Sequence, residues 1–470
     1  MFDNTYARLP DRFYARVHPV HIPAPSLLAW NAELAEDLGL TDLSERDGKR
    51  ARIFSGNELP DGAEPIALAY AGHQFGHFVP QLGDGRAVLL GEVVGADRRR
   101  HDIQLKGSGR TPFSRDGDGK SWLGPVIREY LLSEAMHHLG VSTTRALAAV
   151  RTGETVFRER SLPGAVFTRV ASSHIRIGTF QFFAARGDRD AVESLARYAI
   201  ERHYPEVRDE PRPYLGFFRE VVARQATLIA HWMDIGFIHG VMNTDNVAIS
   251  GETIDYGPCA FMDEFKFDKV FSSIDHSGRY AYLRQAPIAQ WNLTRLAESL
   301  LVLDDDQSAF VEELNRFPAL FGDHYHRRMR RKLGLTTQAP DDESLITDWL
   351  AHLQTNERDH TLSFRRLAAR LTAEGPAEFG DFETRWKRRI ENQPEDQAAI
   401  RTLMDSANPL FIPRNHQVER AIEVAIGGDL SVFQELLQVL SRPFQDQPKY
   451  AHYAEPPTPE QRVVRTFCGT

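Results

Sequence analysis

The residues best suited to chemistry stand near the middle of the chain. The segment His239-Gly-Val-Met-Asn-Thr-Asp-Asn246 is followed, after a short stretch, by Asp255-Tyr-Gly257. An amide oxygen and a carboxylate on neighbouring segments can hold a divalent cation between phosphate groups. The pattern therefore predicts that Asn246 and Asp255 bind Mg²⁺ or Mn²⁺ at a nucleotide site.

The spacing of these residues is that of the catalytic loop of protein kinases, in which His-Arg-Asp precedes a metal-binding Asn and a later Asp-Phe-Gly. Val241 stands where a kinase has its catalytic Asp, and a valine side chain cannot accept a proton. A carboxylate is present instead at Asp245, directly before Asn246. The sequence therefore predicts a base that has moved, or a reaction other than that of a kinase. A chance match of a loop and a hairpin is the alternative.

Two residues upstream extend the pattern of a phosphate site. Lys106 ends a predicted strand, and Glu129 lies on the helix predicted after it. In kinases a strand lysine binds phosphates and is oriented by a glutamate of the flanking helix. Glu134, further along the same helix, is the competing partner for Lys106.

Glycine and arginine residues predict further phosphate contacts. Gly83-Asp-Gly85 resembles a shortened glycine-rich loop, in which backbone amides approach phosphate, although a plain hairpin turn explains the glycines as well. Arg86 would place a guanidinium in the same pocket. Together with Arg169 and Arg176 it predicts phosphates that lie deeper, or in a different order, than in a kinase. Taken singly, each arginine also fits a solvated surface position.

Two other motifs are set aside. Gly119-Lys120-Ser121 ends like a Walker A loop, but Ser114 occupies the place of the first glycine and no buried strand precedes it. His73 and His77 have the spacing of metal ligands on a helix, but the glycine directly before each argues against a helix. A structural or loop role is expected for both histidines.

Composition limits the possible classes of protein. The chain has 470 residues and a net charge of −9, which argues against a nucleic-acid-binding protein. Two cysteines, Cys259 and Cys468, exclude a disulfide framework and a Cys-rich zinc site. The N-terminus lacks a signal-peptide pattern, and no apolar run is long enough to span a membrane. A cytoplasmic enzyme is therefore expected.

The predicted elements describe a small sheet with one flanking helix, followed by a mostly helical region. Strands are predicted at 86–94, 100–106 and 165–170 and a hairpin at 247–254. Helices are predicted at 26–38, 126–139, 190–203, 214–235, 291–303, 344–353, 363–371 and 418–424. We also expect a loop at 57–62, a turn at 151–154, linkers at 334–342 and 374–382, and a loosely packed tail at 443–459.

Several long motifs, in order, resemble the selenoprotein O family. They run through almost the whole chain: Tyr70-Ala-Gly-His-Gln-Phe-Gly-His77, Gln104-Leu-Lys-Gly-Ser-Gly-Arg-Thr-Pro-Phe-Ser-Arg115, Ile127-Arg-Glu-Tyr130, His239 to Asn246, Asp255-Tyr-Gly-Pro258 and Asn408-Pro-Leu-Phe-Ile-Pro-Arg-Asn415. The resemblance implies a protein adenylyltransferase of atypical kinase fold, once taken for a pseudokinase, that binds ATP in an inverted orientation. Its partners would be proteins with accessible Ser, Thr or Tyr hydroxyls, and neither nucleic acid nor a membrane is expected.

The resemblance also implies a role for each matching residue. Gly83, Gly85, Arg86, Asp118 and Gly119 would contact the nucleotide. Lys106, held by Glu129, would bind its phosphates, and Arg169 and Arg176 would contact its phosphate or base side. Asp245 would accept the proton, and Asn246 and Asp255 would hold the metal. Two alternatives stay open: γ-phosphoryl transfer with Asp245 as a displaced base, and a pseudokinase scaffold that binds nucleotide without turnover.

The fold expected from these observations is α+β, a two-lobed protein-kinase-like fold with extensions at both ends. The predicted boundaries are an N-terminal extension at 1–62, an N-lobe at 63–160, a C-lobe at 161–335, a helical C-terminal extension at 336–442 and a flexible tail at 443–470.

The two cysteines raise the possibility of redox control. Cys259 directly follows Asp255-Tyr-Gly-Pro258, and Cys468 stands where members of the family that contain selenocysteine carry it. A disulfide between them would tie the tail to the catalytic cleft. The alternative is a buried small hydrophobe at Cys259 and a free thiol at Cys468.

Overall fold

A computed structural model describes residues 2–40, 47–373 and 375–467 of the chain. The strands of the main sheet lie between Tyr14 and Ala171, and the chain after Ala171 is mostly helical. The α+β prediction is confirmed to this extent: the named strands of the sheet pair in antiparallel fashion, and many helices pack around it.

The strands are β1 (Tyr14–Arg16), β2 (Ser26–Trp30), β3 (Ile66–Leu68), β4 (Gly72–Gln74), β5 (His77–Val79), β6 (Ala87–Val94), β7 (Arg100–Lys106), β8 (Ser121–Trp122), β9 (Arg145–Phe157), β10 (Ser161–Ala171), β11 (Phe237–Ile238) and β12 (Ala260–Phe261). The main sheet has the order β1-β3-β6-β7-β10-β9-β2, and β8 also pairs with β10. Thus the chain before residue 31 supplies both edge strands.

The helices are α1 (Ala32–Asp37), α2 (Asp47–Ser55), α3 (Leu123–His138), α4 (Ile177–Ala184), α5 (Arg189–His203), α6 (Pro213–Asp234), α7 (Gln285–Leu300), α8 (Gln307–Asn315), α9 (Phe317–Lys332), α10 (Asp342–Thr355), α11 (His360–Ala369), α12 (Gly380–Glu391), α13 (Gln397–Ala407), α14 (Asn415–Ile426) and α15 (Ser431–Leu440). None of the helices in the described part of the chain is long and apolar enough to cross a bilayer.

The alternation of side chains along the strands gives the sheet two different faces. Ile103 and Leu105 of β7 join a core formed with α1 and α2. Phe167 of β10 faces the other way, into a core with α3. Helices α14 and α15 cover the far side of α3, so α3 lies between the sheet and the C-terminal helices.

Four local predictions are wrong. Ser26–Trp30 is strand β2 rather than part of a helix, because it pairs with the edge of β9. The expected turn at 151–154 lies inside β9. The pairing of β9 with β10 is irregular there, and this irregularity accommodates the positive φ of Gly153. At 247–254 the turn forms, but its flanks pair with Arg176 and Thr143 instead of each other.

The fourth correction concerns the tail. The segment 443–459 was expected to be loosely packed, yet Tyr450, Tyr453 and Ala454 are buried in the core shared with α14 and α15. Further on, Thr466 pairs with Ser272. Apolar side chains in a proline-bearing segment are enough to bury it when a helical surface is near.

The helices at 126–139, 190–203, 214–235, 291–303, 344–353, 363–371 and 418–424 are confirmed within a few residues at their ends, except that α7 begins six residues before its predicted start. The strands at 86–94, 100–106 and 165–170 and the loop at 57–62 are also confirmed. Of the linker at 374–382, Glu374 lies outside the described residues and Gly380 already begins α12. The boundaries of the predicted lobes and extensions stay predictions.

Candidate active site

The centre of the site is the carboxylate of Asp255. Lys106 Nζ lies 2.8 Å and Arg169 Nη2 lies 2.6 Å from its Oδ1, and Arg176 Nη1 donates to its Oδ2 at 3.2 Å. Burial alone would raise the pKa of Asp255, but Arg169, Lys106 and Arg176 hold it well below its usual range. The residue has a φ of +64°, a conformation that is uncommon for non-glycine residues.

Glu129 is the second anion of this cluster. Its Oε2 accepts from Lys106 Nζ at 2.7 Å, and its Oε1 accepts from Arg169 Nε at 2.9 Å and also from Arg169 Nη2. Lys106 on β7 and Arg169 on β10 both reach Glu129 because, with alternating side chains, both lie on the face of the sheet that packs against α3. Glu134, the competing partner, instead binds Arg145 and the amide of Ala146.

Three cations and two carboxylates make up this cluster, which we call the Asp255 cluster: Lys106, Glu129, Arg169, Arg176 and Asp255. It has one positive charge in excess within a largely buried environment. An excess cation among buried ion pairs favours the approach of an anion such as a phosphate.

Asp245 lies next to this cluster on the loop between β11 and β12. Arg176 Nη1 donates to its backbone carbonyl at 2.8 Å, and Gln74 Nε2 donates to its Oδ2 at 3.1 Å. Its Oδ1 is buried and has no hydrogen-bond partner within the part of the chain that the structure describes. Burial raises the pKa of Asp245 to about 6, although Gln74 and Arg176 act against this rise.

The β4–β5 hairpin holds the Asp245 loop in place. His73 N donates to Thr244 Oγ1 at 2.7 Å, and Phe75 N donates to Asn243 Oδ1 at 3.0 Å. A Cβ on Gly72 would lie 2.5 Å from Asp245 Oδ1, so only glycine permits this approach. Sequence reasoning missed Gly72 and Gln74. The glycines beside His73 and His77 were noticed, but only as an argument against a helix.

The metal-ligand candidates lie on the same loop and the segment after it. Asn246 Nδ2 donates to the carbonyl of Val241 at 3.0 Å, which leaves its Oδ1 available as a ligand. Among the described residues, no group of three or more His, Cys, Asp and Glu could form a metal site by itself. A hard cation that takes one carboxylate, one amide oxygen and the phosphates of a substrate needs no such group.

The other predicted residues make no side-chain pair with the Asp255 cluster. Asp118 forms a two-bonded ion pair with Arg158, at 2.9 and 3.0 Å, and Gly119 packs against Gly109. The backbone carbonyl of Arg86 accepts from the amide of Gly107, directly after Lys106, and its side chain makes no hydrogen bond or ion pair with a described residue. The convergence of Arg169 and Arg176 on Asp255 is observed, and a contact of Arg86 with the same phosphates stays a prediction.

The glycines of the Gly83-Asp-Gly85 loop have a packing role in this structure. A Cβ on Gly83 would lie 2.3 Å from the ring of Phe113, and one on Gly85 would lie 2.9 Å from its carbonyl oxygen. Asp84 between them is buried and accepts from Leu68 N and from Gln104 Nε2, both at 3.1 Å. The loop therefore packs against the segment that contains Phe113.

His73 and His77 lie on the two strands of the β4–β5 hairpin and not on a helix. His73 Nδ1 is hydrogen-bonded to Gln181 Nε2 at 2.8 Å, and His77 is exposed on β5. Cys259 is buried directly after Pro258, whose carbonyl accepts from the hydroxyl of Thr466. Cys468 lies outside the described residues, so the disulfide stays a prediction.

Comparison with known proteins adds a second kind of observation. The family model described as "Protein adenylyltransferase SelO" matches residues 1–441. The protein nucleotidyltransferase YdiU of Rhizobium meliloti (strain 1021) is 56% identical over 487 residues, which cover 100% of this chain and 99% of the relative. The proteins of the same name from Bradyrhizobium diazoefficiens and Methylorubrum populi are 56% and 55% identical, again over 100% of this chain and 99% of each relative.

Proposed function

Because this chain belongs to the SelO family of protein adenylyltransferases, we propose that it transfers AMP from ATP to Ser, Thr or Tyr hydroxyls of other proteins and releases pyrophosphate. The observation that carries the proposal is the position of Asp245. It is a buried carboxylate with an unpartnered oxygen beside the cationic Asp255 cluster, while Val241 fills the place of a kinase base.

We propose that the fold is two-lobed and kinase-like, with the site between the lobes. In support, Lys106, Glu129 and Arg169 come from the sheet and α3, whereas Asp245 and Asp255 come from the mostly helical part of the chain. A site built from two such units can open for the nucleotide and close over it.

Lys106 and Arg176 are the proposed phosphate-binding cations. Both are tied to Asp255, and a phosphate can share these cations with the carboxylate. Arg169 is almost fully buried and paired with Glu129 and Asp255, so its contribution is to hold both carboxylates and add to the positive field. Arg86, unpaired among the described residues, is free to reach the nucleotide from the loop after Gly85.

An inverted orientation of ATP agrees with this distribution of charge. The buried cations would attract the terminal phosphates to the inner end of the cleft, because burial strengthens their field. Asp118 and Gly119, on the loop before β8, would then contact the other end of the nucleotide. Gly83 and Gly85 would contact the part of the nucleotide between these two ends through their backbone groups.

Asn246 and Asp255 are the proposed ligands of Mg²⁺ or Mn²⁺. The donor set fits a hard cation, since it offers a carboxylate and an amide oxygen beside the unpartnered Oδ1 of Asp245. When bound, the cation would neutralise charge on the phosphates of ATP. The three cations around Asp255 keep its carboxylate ionised, as a metal ligand must be.

In the proposed reaction the hydroxyl oxygen of the target attacks the α-phosphorus of ATP. The bond from the α-phosphorus to the bridging oxygen breaks, and pyrophosphate leaves with the bonding electrons. The hydroxyl proton passes to the carboxylate of Asp245. A carboxyl whose pKa is raised to about 6 by burial is mostly ionised at neutral pH and is a stronger base than an exposed aspartate.

Labelled ATP tests the proposal directly. The protein is incubated with a cell extract and Mg²⁺ or Mn²⁺, with ATP labelled at the α- or at the γ-phosphate. We expect only the α-label to become bound to protein. Protein-bound γ-label would show a kinase, and binding of ATP without transfer of either label would show a scaffold. We also propose that the protein acts in the cytoplasm, since its two cysteines fit a reducing compartment.

A further inference from the structure

An arginine without an ion-pair partner lies beside the β4–β5 hairpin. The guanidinium carbon of Arg279 sits 4.6 Å from the ring centre of Trp291. Its Nε and Nη2 atoms are buried and make no hydrogen bond, and no carboxylate of the described residues pairs with it. The aromatic ring offsets part of the cost of burying this charge, but a full counter-charge is missing.

A second arginine lies beside Arg279, but it has a partner of its own. Arg295 lies 5.0 Å from the same Trp291 ring and is paired with Glu298 at 2.8 Å. The carboxylate of Asp275, four residues before Arg279, accepts from backbone amides instead of the guanidinium. Of the two guanidinium groups at Trp291, that of Arg279 is therefore the one without an ion pair among the described residues.

The position of Arg279 is fixed from both sides. Asp275 accepts from the amides of Arg279 and Tyr280 at 2.9 and 2.8 Å. The hydroxyl of Tyr280 donates to Asn243 Oδ1 at 2.6 Å, two residues before Asp245. These contacts join the segment after Asp255-Tyr-Gly257 to the catalytic loop, so Arg279 is held relative to Asp245.

The contacts of the hairpin give an estimate of the distance between Arg279 and Asp245. Gly76 lies against the Arg279 guanidinium, where a Cβ would be 3.6 Å from its carbon, and Gln74 on the same hairpin contacts Asp245. Two residues separate these contacts, so Arg279 lies roughly 10–15 Å from Asp245. An extended peptide covers that distance in about three or four residues.

We propose that Arg279 recognises an acidic side chain of the target protein, about three or four residues from the hydroxyl that receives AMP. The inference rests on the proposed function. The carboxylate would approach Nη1, because Nε and Nη2 are buried, and would supply the ion pair that Arg279 lacks among the described residues. Phe78, 39% exposed and 5.0 Å from the ring of His73, offers an apolar contact next to this position.

The test uses peptides with one Ser, Thr or Tyr and a single Glu, or the matched Gln, at each position up to four residues away. Transfer of AMP from α-labelled ATP should be about tenfold faster in kcat/KM for Glu at the preferred position. In Arg279→Gln this ratio should fall to about one, and Arg279→Glu should prefer Lys at that position. Arg327→Gln, on the exposed side of α9, is the matched control and should keep the preference for Glu.

A second measurement covers targets that peptides do not imitate. The sites labelled in a cell extract are mapped by mass spectrometry for the wild type and both variants. Enrichment of acidic residues near wild-type sites, lost in Arg279→Gln, supports the inference. Equal enrichment in the two proteins overturns it, as does a higher KM for ATP with an unchanged peptide preference. If the wild type transfers no AMP to any protein, the proposed function has failed instead.

Discussion

At the residue scale, the candidate site has three cations and only two carboxylates that pair with them. Lys106 and Arg169 each contact both Glu129 and Asp255, and Arg176 contacts Asp255. Removing one partner from such a group leaves a buried charge without compensation, which costs more than the pair contributes. Substitutions here therefore change stability as well as nucleotide binding, and the two effects must be measured together.

Glu129→Gln should lower kcat/KM for AMP transfer by about a hundredfold, because Lys106 loses its orientation and is drawn toward Asp255. The matched control is Glu134→Gln, the same change on the same helix, which removes the contacts with Arg145 and Asn31. Both variants should have a lower Tm, since each removes one carboxylate from a buried or mostly buried arginine, Arg169 in the first case and Arg145 in the second. Only Glu129→Gln should lose transfer in an assay with α-labelled ATP. Equal losses of transfer would give Glu129 a purely structural role.

At the scale of elements, the β4–β5 hairpin decides where the Asp245 carboxylate lies. It contacts the loop through His73, Gln74 and Phe75, and Gly72 lies directly against the carboxylate. The two strands of the hairpin pair with each other. A displacement of the strand that carries Gly72 and Gln74 would therefore also move the side chain of Asp245.

Gly72→Ala should reduce AMP transfer at least tenfold, because its methyl group would lie 2.5 Å from Asp245 Oδ1 and would displace it. Gly322→Ala is the control, since a Cβ there meets nothing within 4 Å and Gly322 lies in α9. That substitution should leave transfer unchanged and raise stability by up to about 1 kcal/mol. Steady-state transfer and thermal unfolding of both variants are the measurements. Full activity of Gly72→Ala would show that the carboxylate tolerates the displacement.

At the scale of the whole molecule, Arg414 joins parts of the chain that are distant in sequence. It is fully buried, and its Nη1 lies 2.5 Å from Asp263 Oδ1 and 2.8 Å from Asp359 Oδ2. Its Nε donates to the carbonyl of Ala454 at 2.9 Å. The start of α14, the segment after β12, the start of α11 and the tail thus meet at one side chain.

Arg414→Met should destabilise the protein by about 3–5 kcal/mol, because Asp263 and Asp359 are left close together without a cation. Arg197→Met, which removes an exposed pair with Glu193 on α5, should cost less than about 0.5 kcal/mol. Urea unfolding of the two variants compares them directly. Similar midpoints would mean that the buried carboxylates find other partners.

Buried histidines make stability depend on pH. Burial, with the nearby Arg202 and Arg224, lowers the pKa of His203 to about 3. Between that value and the ordinary pKa near 6.5, the unfolded chain binds a proton at His203 that the folded protein does not. This contribution to stability is therefore complete above pH 6.5 and is lost as the pH falls, by about 2 kcal/mol between pH 6.5 and 5.

The variant His203→Gln isolates this contribution from that of the buried carboxylates. Its free energy of unfolding should decrease less than that of the wild type between pH 7 and pH 5, measured by urea unfolding at each pH. The substitution also removes the hydrogen bond to Ser173 at 2.8 Å, so a constant offset at all pH values is expected. Parallel curves for the two proteins would contradict the assignment.

Much of the Asp255 cluster could be predicted from sequence because it depends on order and local pattern. The strand ending at Lys106 and the helix carrying Glu129 have clear periodicities, and the kinase-like spacing from His239 to Asp255 is local. Those features also predicted the partnership of Lys106 with Glu129, although Glu134 could not be excluded by pattern alone. Helices α5, α6, α10 and α11 were predictable for the same reason.

The remaining features depend on contacts between distant segments. Ser26–Trp30 is a strand because the edge of β9 is available to it, and the 443–459 segment is buried because α14 and α15 present an apolar surface. Gln74 meets Asp245, and Gly76 meets Arg279, across large separations in the chain. No local pattern encodes such pairs.

The sequence by itself predicted the family, through motifs that resemble those of selenoprotein O, and with the family the class of reaction. Residue type and spacing predicted the carboxylates, amide and lysine of the candidate site. Only the tertiary structure decided that Arg169 and Arg176 converge on Asp255, that Glu129 is the partner of Lys106, and that Arg279 has no ion pair among the described residues. The physical reason is that charge compensation and burial are properties of the packed chain. The functional group of a side chain follows from its residue type, but its partners depend on which strands, helices and loops pack against one another.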